Sequence, residues 1–297
     1  MARVRYTVLY QEKDQAESEP LLPTPDWRTL SPTESTTDLF TEQTGYNDAD
    51  VTGWDGRNVY GVTIGLVQMH VNLAMIPGNM GNATTFDFPI LYRRMNAEDV
   101  ADVMAEVPTK NFADAIVEAA QWLELQGVRA IMGNCGFFGG YQNEVKARIN
   151  VPFFSSSLMM LPMMVHSMPS NKKVGVITAN GPQLIKTQAI ENCGLSLEDK
   201  ANRIVVMGCE GGQEFSSSIM ANTGVYNPAK VEQEIVAVAR QMVQEYDDIG
   251  AILLECTELS PHAFAVQNAV RMPVWDYTTL TKWIYSGTIR RPFTGHL

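Results

Sequence analysis

From Val59 onward, short apolar runs bounded by turn residues alternate with longer segments in which apolar residues recur every three or four positions. The short runs are rich in Val and Ile and predict strands, whereas the longer segments predict helices. The predicted strands are VYGVTIGLV, FPILYRR, VRAIMGN, VPFFSSS, KVGVITA, RIVVMG, IGAILLE and MPVWDY. Strands separated by helices indicate a parallel sheet covered on both faces, and therefore an α/β fold.

Two helices are the most clearly marked. The segment NFADAIVEAAQWLELQG, residues 111–127, has apolar positions at helical spacing, with Asn111 as the expected cap and a glycine at its end. A second helix is predicted to begin after a cap at Asn227, with Pro228 in its first turn, and to end at about residue 246.

A repeated pattern divides the chain into two similar parts. The hexapeptides AIMGNC and AILLEC end at Cys135 and Cys256, and a proline follows each cysteine by 17 positions, at Pro152 and Pro273. A helical segment precedes each hexapeptide, and the opening strands YGVTIGL and VGVITAN also correspond. This match predicts a duplication of a unit of about a hundred residues, much longer than a solenoid repeat. We expect two similar doubly wound parallel-sheet halves, related by a pseudo-two-fold axis, with a cleft between them.

The predicted halves have the following bounds. The first comprises residues 59–168 together with 270–297, and the second comprises residues 169–269. Residues 1–58 are rich in Glu, Asp, Thr, Ser and Pro and lack periodicity. This composition predicts an irregular N-terminal extension without a role in the chemistry.

Charge and hydropathy narrow the classes of function. The 297 residues carry a net charge of −11, and the 22 Lys and Arg residues are scattered, so we expect no nucleic-acid partner. No window reaches the roughly 18 apolar residues of a membrane span, and the N-terminus lacks the apolar core of a secretion signal. We therefore expect a soluble, cytoplasmic protein that does not contact a membrane.

The four cysteines are far apart in the sequence and include no C-x-x-C pair, so neither a zinc site nor a disulfide is expected. The four histidines form no ligand pattern, and neither G-x-G-x-x-G nor a P-loop is present. We expect no metal and no cofactor. Cys193 and Cys209 are interpreted as small apolar core residues.

Cys135 and Cys256 are the candidate catalytic residues. Each follows a predicted strand, and ligands of open parallel sheets bind beyond the carboxyl ends of the strands. A helix N-terminus is expected to lower the pKa of such a thiol from about 8.5 toward neutrality. One thiolate could then remove a proton from the carbon next to a carboxylate, while the other thiol returns one from the opposite face.

Polar and backbone groups near the thiols could bind this small carboxylate. The candidate substrate-binding residues are Asn134, Gly136, Phe137, Ser155, Ser156, Thr257 and Glu258, with Gln68 and Asn180 at the ends of the opening strands. Ser157 and Thr279 are expected to cap helices instead. Glu255 and Glu258 flank Cys256, where a carboxylate would hinder ionisation of the thiol. Residues 74–86, AMIPGNMGNATTF, form either a surface turn or, as we favour, a flexible loop over the cleft.

These motifs resemble the aspartate/glutamate racemase superfamily over residues 59–286. ECTEL around Cys256 is similar to the second-cysteine motif of aspartate racemases, which implies two α/β halves that each supply one cysteine. Gly136 and Phe137 follow the first cysteine where those racemases have Asn-Thr, and Glu258 stands where glutamate racemases have histidine. GNCGFF, VITANG, VVMGCE and LLECTELSP instead resemble the branch of algal-type dimethylsulfoniopropionate lyases. That resemblance implies that a cysteine takes the α-proton and that dimethyl sulfide leaves from the β-carbon, giving acrylate.

Three functions remain open from the sequence. The first is a cofactor-independent lyase acting on dimethylsulfoniopropionate or a similar small carboxylate. The second is a racemase or isomerase of a small dicarboxylate or amino acid, which ECTEL favours. The third is a small-carboxylate binding protein without turnover. The apolar content and the family resemblance also suggest a homo-oligomer.

Overall fold

The computed structural model describes residues 59–96, 103–290 and 293, so the predicted extension at residues 1–58 lies outside the described residues. Two parallel four-stranded sheets form the framework, with strand orders β2-β1-β3-β4 and β6-β5-β7-β8. The strands are β1 (Ile64–Gln68), β2 (Ile90–Arg94), β3 (Ala130–Gly133), β4 (Phe153–Phe154), β5 (Lys173–Thr178), β6 (Ile204–Gly208), β7 (Ile249–Leu254) and β8 (Val274–Trp275). Seven of the eight lie within the predicted runs, and β1 extends one residue beyond its run, to Gln68, so the predicted α/β fold with two similar halves is confirmed.

Helices connect the strands and cover the sheets. The α-helices are α1 (Lys110–Leu125), α2 (Gln142–Lys146), α3 (Leu161–Ser167), α4 (Gly181–Lys186), α5 (Ala189–Asn192), α6 (Leu197–Arg203), α7 (Pro228–Glu245), α8 (Ala263–Val270) and α9 (Tyr277–Thr288). Short 3₁₀ helices span Gly136–Tyr141, Ser157–Met160 and Ser260–His262, and a π-helix spans Phe215–Met220. None of the helices in the described ranges is long and apolar enough to cross a membrane.

The sequence predicts the N-terminus of one of these two helices correctly and that of the other incorrectly. Helix α7 is capped as expected, because the Asn227 side chain accepts hydrogen bonds from the next turn at 3.1 and 3.2 Å. Helix α1 begins earlier than predicted. Thr109 is extended and accepts a hydrogen bond from Phe112 N at 3.4 Å, so Thr109 is the cap and Asn111 lies inside the first turn.

The two halves repeat the same backbone contacts. Ile131 N donates to Pro152 O and Ile252 N donates to Pro273 O, both at 2.9 Å. Each proline therefore directly precedes a strand, and that strand pairs with the strand that leads to a cysteine. This is the structural basis of the 17-residue spacing.

The halves share one core. A central apolar cluster contains Ile64 and Leu66 of β1, Val174 and Val176 of β5, and Ile284 of α9, all at most 4% exposed. Two further clusters lie under α1 and under α7, one in each half. Complete burial of one such side chain stabilises the fold by about 1.5–3 kcal/mol, so the central cluster joins the two sheets firmly.

The predicted grouping of residues 270–297 with the first half is wrong for β8. This strand pairs with β7 in the second sheet, with Ile252 opposite Val274. Helix α9 then crosses back toward the first half, where the Phe88 and Tyr285 rings stack at 3.7 Å between centroids. The chain therefore changes halves between β8 and α9, rather than before β8.

A glycine in β1 permits close packing of α1, and its replacement should destabilise the fold. A Cβ atom at Gly65 would lie 3.0 Å from Leu123 Cδ1 and 3.1 Å from Leu123 Cβ. We expect Gly65→Ala to lower the free energy of unfolding by about 1–3 kcal/mol. The measurement is the urea midpoint at constant m-value.

The matched control is Gly287→Ala in α9, where an added Cβ would meet no heavy atom within 4 Å. This change should instead raise the free energy of unfolding by about 0.5–1 kcal/mol, since alanine favours a helix over glycine. Equal effects of the two substitutions would contradict the packing argument.

Candidate active site

Each candidate cysteine lies between the end of a strand and the start of a helical segment, with one cysteine in each half. Cys135 follows β3 and precedes the 3₁₀ helix Gly136–Tyr141, and its carbonyl accepts a hydrogen bond from Phe138 N at 3.0 Å. Cys256 follows β7, and its carbonyl accepts a hydrogen bond from Leu259 N at 3.0 Å. The two cysteine turns, residues 134–138 and 255–259, therefore have corresponding backbone structures.

The two cysteine turns contact each other across the halves. The Thr257 hydroxyl donates to Asn134 O at 3.0 Å. A Cβ atom at Gly136 would overlap the carboxyl group of Glu255, so only glycine fits beside that side chain. The charge of a Cys135 thiolate would also raise the pKa of Cys256, so ionisation of one thiol disfavours ionisation of the other.

Exposure separates the four cysteines into two classes. Cys135 and Cys256 are partly exposed, whereas Cys193 is 3% exposed and Cys209 is 0% exposed. The latter two belong to apolar clusters, which agrees with their interpretation as core residues. The accessible thiols are therefore the two at the matched strand ends.

The expected lowering of the thiol pKa is wrong for this unliganded site. Burial, and then the charge of Glu255, raise the pKa of Cys135 to about 12, although the backbone N–H groups of Phe137 and Phe138 act in the opposite direction. Burial and the charges of Glu255 and Glu258 also raise the pKa of Cys256 well above its usual value. The flanking carboxylates therefore raise the thiol pKa, as expected. Burial together with these charges has a larger effect than the backbone N–H groups that lower the pKa.

Glu255 lies between the two turns and is 0% exposed. Its Oε2 accepts a hydrogen bond from the Thr178 hydroxyl at 2.7 Å, whereas Oε1 has no hydrogen-bond partner among the described residues. Burial raises the pKa of Glu255 to about 7, against the lowering effect of Thr178. This carboxyl group can therefore gain or lose a proton near neutral pH.

Glu258 is a second buried carboxyl group, 6% exposed, on the side of residues 74–86. Asn79 Nδ2 donates to Glu258 Oε1 at 2.9 Å, and Glu258 Oε2 has no partner in the described part of the chain. Burial raises the pKa of Glu258 to about 7.

Gly78, at φ +100°, packs against Pro261, where an added Cβ would lie 2.7 Å from the Pro261 Cα. Residues 74–86 therefore lie over the second cysteine turn, where we expected the loop.

Two more polar atoms near the thiols lack partners. Gln68 Oε1, at the end of β1, and the Tyr277 hydroxyl, at the start of α9, are buried and form no hydrogen bond of good geometry within the described ranges. Burial, and then the charges of Cys135 and Glu255, raise the pKa of Tyr277 well above its usual value. Because buried polar atoms are normally paired, Gln68 Oε1 is a candidate acceptor for a ligand, whereas the Tyr277 hydroxyl lies close enough to Ser156 for that residue to lower its pKa.

Several candidate residues are already engaged within the protein. Asn134 Oδ1 accepts a hydrogen bond from Met69 N at 2.8 Å, which leaves its NH₂ group as a donor. Asn180 caps α4 through Gln183 N at 3.0 Å. Phe137 is 4% exposed and packs in the central cluster, so its backbone N–H, rather than its ring, serves the thiol.

The serine run following β4 is placed differently from our expectation. The Ser155 hydroxyl lies 3.8 Å from Cys193 Sγ and so faces the core. Ser156, not Ser157, caps the next 3₁₀ helix, accepting from Leu158 N at 3.1 Å. The Ser157 hydroxyl instead donates to Leu254 O at 3.1 Å and to Glu255 O at 3.2 Å.

The cap expected at Thr279 is likewise a different residue. Asp276 caps α9, accepting from Thr279 N at 2.9 Å, so Thr279 lies in the first turn.

Sequence reasoning missed Tyr277 of this site, and it assigned to Glu255 only a hindering effect on ionisation of the Cys256 thiol. The repeat itself contains the signal. Glu255 precedes its cysteine as Asn134 does, and Tyr277 follows Cys256 by 21 positions, as Ser156 follows Cys135. The repeat could therefore have indicated Glu255 and Tyr277 on the same grounds as Asn134 and Ser156.

Comparison with solved structures identifies the class of fold. A glutamate racemase from Bacillus anthracis matches with a TM-score of 0.51 at 14% identity, covering 76% of this chain and 80% of that chain. An aspartate racemase homologue from Pyrococcus horikoshii OT3 matches with a TM-score of 0.50 at 18% identity, covering 76% of this chain and 99% of that chain. The protein has the aspartate/glutamate racemase fold.

Sequence comparison identifies relatives of one activity. The chain is 28% identical over 245 residues to a dimethylsulfoniopropionate lyase from Durusdinium sp. clade D, covering 80% of this chain and 79% of the relative. It is 29% identical over 223 residues to dimethylsulfoniopropionate lyase 7 from Emiliania huxleyi (strain CCMP1516), covering 73% of this chain and 64% of the relative. No protein-family model matches the chain.

The resemblance indicated by the sequence motifs is thereby confirmed. The chain is similar in sequence to dimethylsulfoniopropionate lyases and in fold to racemases, which supports the expected class, an enzyme. It spans less than two thirds of the length of some of these relatives, 64% and 61% in two cases.

The difference in exposure predicts a difference in thiol reactivity. We expect iodoacetamide to modify Cys135 and Cys256 faster than Cys193 and Cys209, because the first two are partly exposed and the others are buried. Peptide mass spectrometry measures each site separately. Equal rates at all four cysteines would contradict the assignment of the site.

Proposed function

We propose that this protein is a cofactor-independent lyase that converts dimethylsulfoniopropionate, or a closely similar sulfonium carboxylate, to acrylate and dimethyl sulfide. The observation that carries the proposal is the contact between two cysteine turns with accessible thiols at matched strand ends. The similarity to dimethylsulfoniopropionate lyases over 73% to 80% of the chain supports the substrate.

In the proposed reaction, one thiolate of the pair takes a proton from the α-carbon of the substrate. The electron pair of that C–H bond forms the double bond to the β-carbon, and the C–S bond breaks as dimethyl sulfide leaves with its electrons. The products are acrylate, dimethyl sulfide and one proton. The Asn134 NH₂ group is the donor we assign to the substrate carboxylate, whose charge grows as the α-proton is removed.

The charge of the site favours a substrate with a cationic group. Glu255 and Glu258 are both buried, and among the described residues no Lys or Arg contributes to the shift of either pKa. A sulfonium ion cannot donate a hydrogen bond from sulfur, so an unpartnered carboxylate oxygen is a suitable neighbour by charge alone. We assign this role to Glu258 Oε2.

The same charges disfavour an acidic amino acid as substrate. Its second carboxylate would enter beside two carboxyl groups, and like charges 4 Å apart repel by about 4 kcal/mol at an effective dielectric constant of 20. We therefore propose elimination ahead of racemisation. The racemases among the structural neighbours share the fold with this chain.

The first test of the proposed function is enzymatic. The protein should release dimethyl sulfide from dimethylsulfoniopropionate, measured in the headspace. Replacement of the thiol that acts as the base, by Cys135→Ala or by Cys256→Ala, should lower kcat/KM at least about 100-fold, the usual minimum for loss of an acid–base group. Cys193→Ala, at a buried thiol outside the two turns, is the matched control and should retain activity.

Other outcomes would identify the alternatives. Absence of dimethyl sulfide at high enzyme concentration rejects this substrate. Entry of solvent deuterium at the α-carbon of an acidic amino acid, without elimination, would instead establish a racemase. Undiminished binding of the carboxylate by the cysteine variants, with no turnover by the wild-type protein, would establish a binding protein.

A second test addresses recognition of the cation. Of two inhibitors with the same shape, 3-(trimethylammonio)propionate should bind about tenfold more tightly than neutral 4,4-dimethylpentanoate, a difference of about 1.4 kcal/mol. The preference should grow as pH rises through about 7, because Glu258 ionises there. Glu258→Gln should remove most of the preference. Equal inhibition by both compounds at high pH would refute the role of Glu258.

A further inference from the structure

Glu255 is the side chain around which the two cysteine turns pack. One face of its carboxyl group lies against Gly136, directly after Cys135, and the residue directly precedes Cys256. Oε2 is fixed by the Thr178 hydroxyl at the end of β5. Oε1 is completely buried and has no partner in the described ranges. An oxygen atom that can accept a proton is thus held against the residue that follows one cysteine, on the residue that precedes the other.

The surroundings of Glu255 contain other acids and no cation that contributes to its shift within the described residues. Its charge raises the pKa of one titratable group on each neighbouring segment, and these are Cys135 after β3, Cys193 after α5, Cys209 after β6, Cys256 after β7 and Tyr277 of α9. Glu258 acts on the same two accessible thiols from the opposite side. A second negative charge in this cluster is therefore strongly disfavoured.

We propose that Glu255 holds the proton whenever Cys135 or Cys256 is ionised, so that the two thiols and this carboxyl group together carry one negative charge. The inference rests on the proposed use of the thiols in proton transfer. Glu255 acts through the thiols and does not contact the reacting carbon.

The proton balance of this arrangement is complete. In the resting site the thiols are neutral and Glu255 is ionised. Transfer of the S–H proton to Oε1, directly or through one water, gives a thiolate and a carboxylic acid with no change in total charge. The thiolate then takes the α-proton, and dimethyl sulfide leaves. The carboxylic acid finally releases its proton to solvent, which accounts for the one proton formed per turnover.

The proposal predicts a particular pH dependence of thiolate content. Below the pKa of Glu255, about 7, each thiolate formed releases a proton to solvent, so the thiolate content rises about tenfold per pH unit. Above that pKa the proton moves to Glu255 instead, so the content levels off. The rate of modification of Cys135 and Cys256 by methyl methanethiosulfonate, followed by peptide mass spectrometry, should therefore show a break near pH 7.

Two pairs of variants identify the group responsible. Thr178→Val removes the hydrogen bond that lowers the pKa of Glu255, so the break should move to higher pH. Asn79→Ala removes the corresponding hydrogen bond to Glu258 and should leave the break in place. Glu255→Gln should abolish the break, so that reactivity continues to rise and exceeds the wild type by about tenfold one pH unit above it. Glu258→Gln should retain it.

These measurements need no substrate, so they test Glu255 separately from the proposed lyase activity. A wild-type profile without a break, or a break that persists in Glu255→Gln, overturns the inference even if dimethyl sulfide is formed. A break that moves with Asn79→Ala and disappears with Glu258→Gln assigns the proton to the other carboxyl group. If Glu255 served only folding, Thr178→Val would change the stability of the protein but would leave the break at the same pH.

Discussion

The contact between the Glu255 carboxyl group and the backbone at Gly136 is the constraint on which the site depends. It joins the residue before one cysteine to the residue after the other, and it requires that position 136 have no side chain. The hydrogen bond from Thr257 to Asn134 O runs beside it. Both contacts are made within the cysteine turns themselves, so the approach of the two thiols is set by the same groups that control their ionisation.

Burial explains why this site differs from an isolated helix terminus. The backbone N–H groups of Phe137 and Phe138 favour a thiolate at Cys135, but desolvation and the neighbouring carboxylates act more strongly. In the proposed reaction, a bound sulfonium cation would favour formation of the thiolate, which would link recognition of the substrate to ionisation of the thiol.

The sequence was sufficient for those features that follow from local pattern. The eight strands, α7 with its cap at Asn227, and the matched positions of Cys135 and Cys256 all depend on residues close in the chain. The predictions that were wrong concern features that depend on contacts between residues far apart in the chain. Thr109 replaces Asn111 as a cap, and β8 pairs with the second sheet, both for reasons that no short segment contains. The raised pKa of the thiols likewise depends on segments more than a hundred residues apart.

The two halves repeat their backbone contacts, but their chemistry differs. Beside one thiol, position 134 is an asparagine, and beside the other the matched position 255 is a glutamate; Ser156 and Tyr277 differ in the same way. In the proposed reaction, a methylene carbon between the sulfurs would present its two hydrogens to unlike surroundings. Such a site would distinguish a prochiral centre, although the underlying chain path is nearly symmetric.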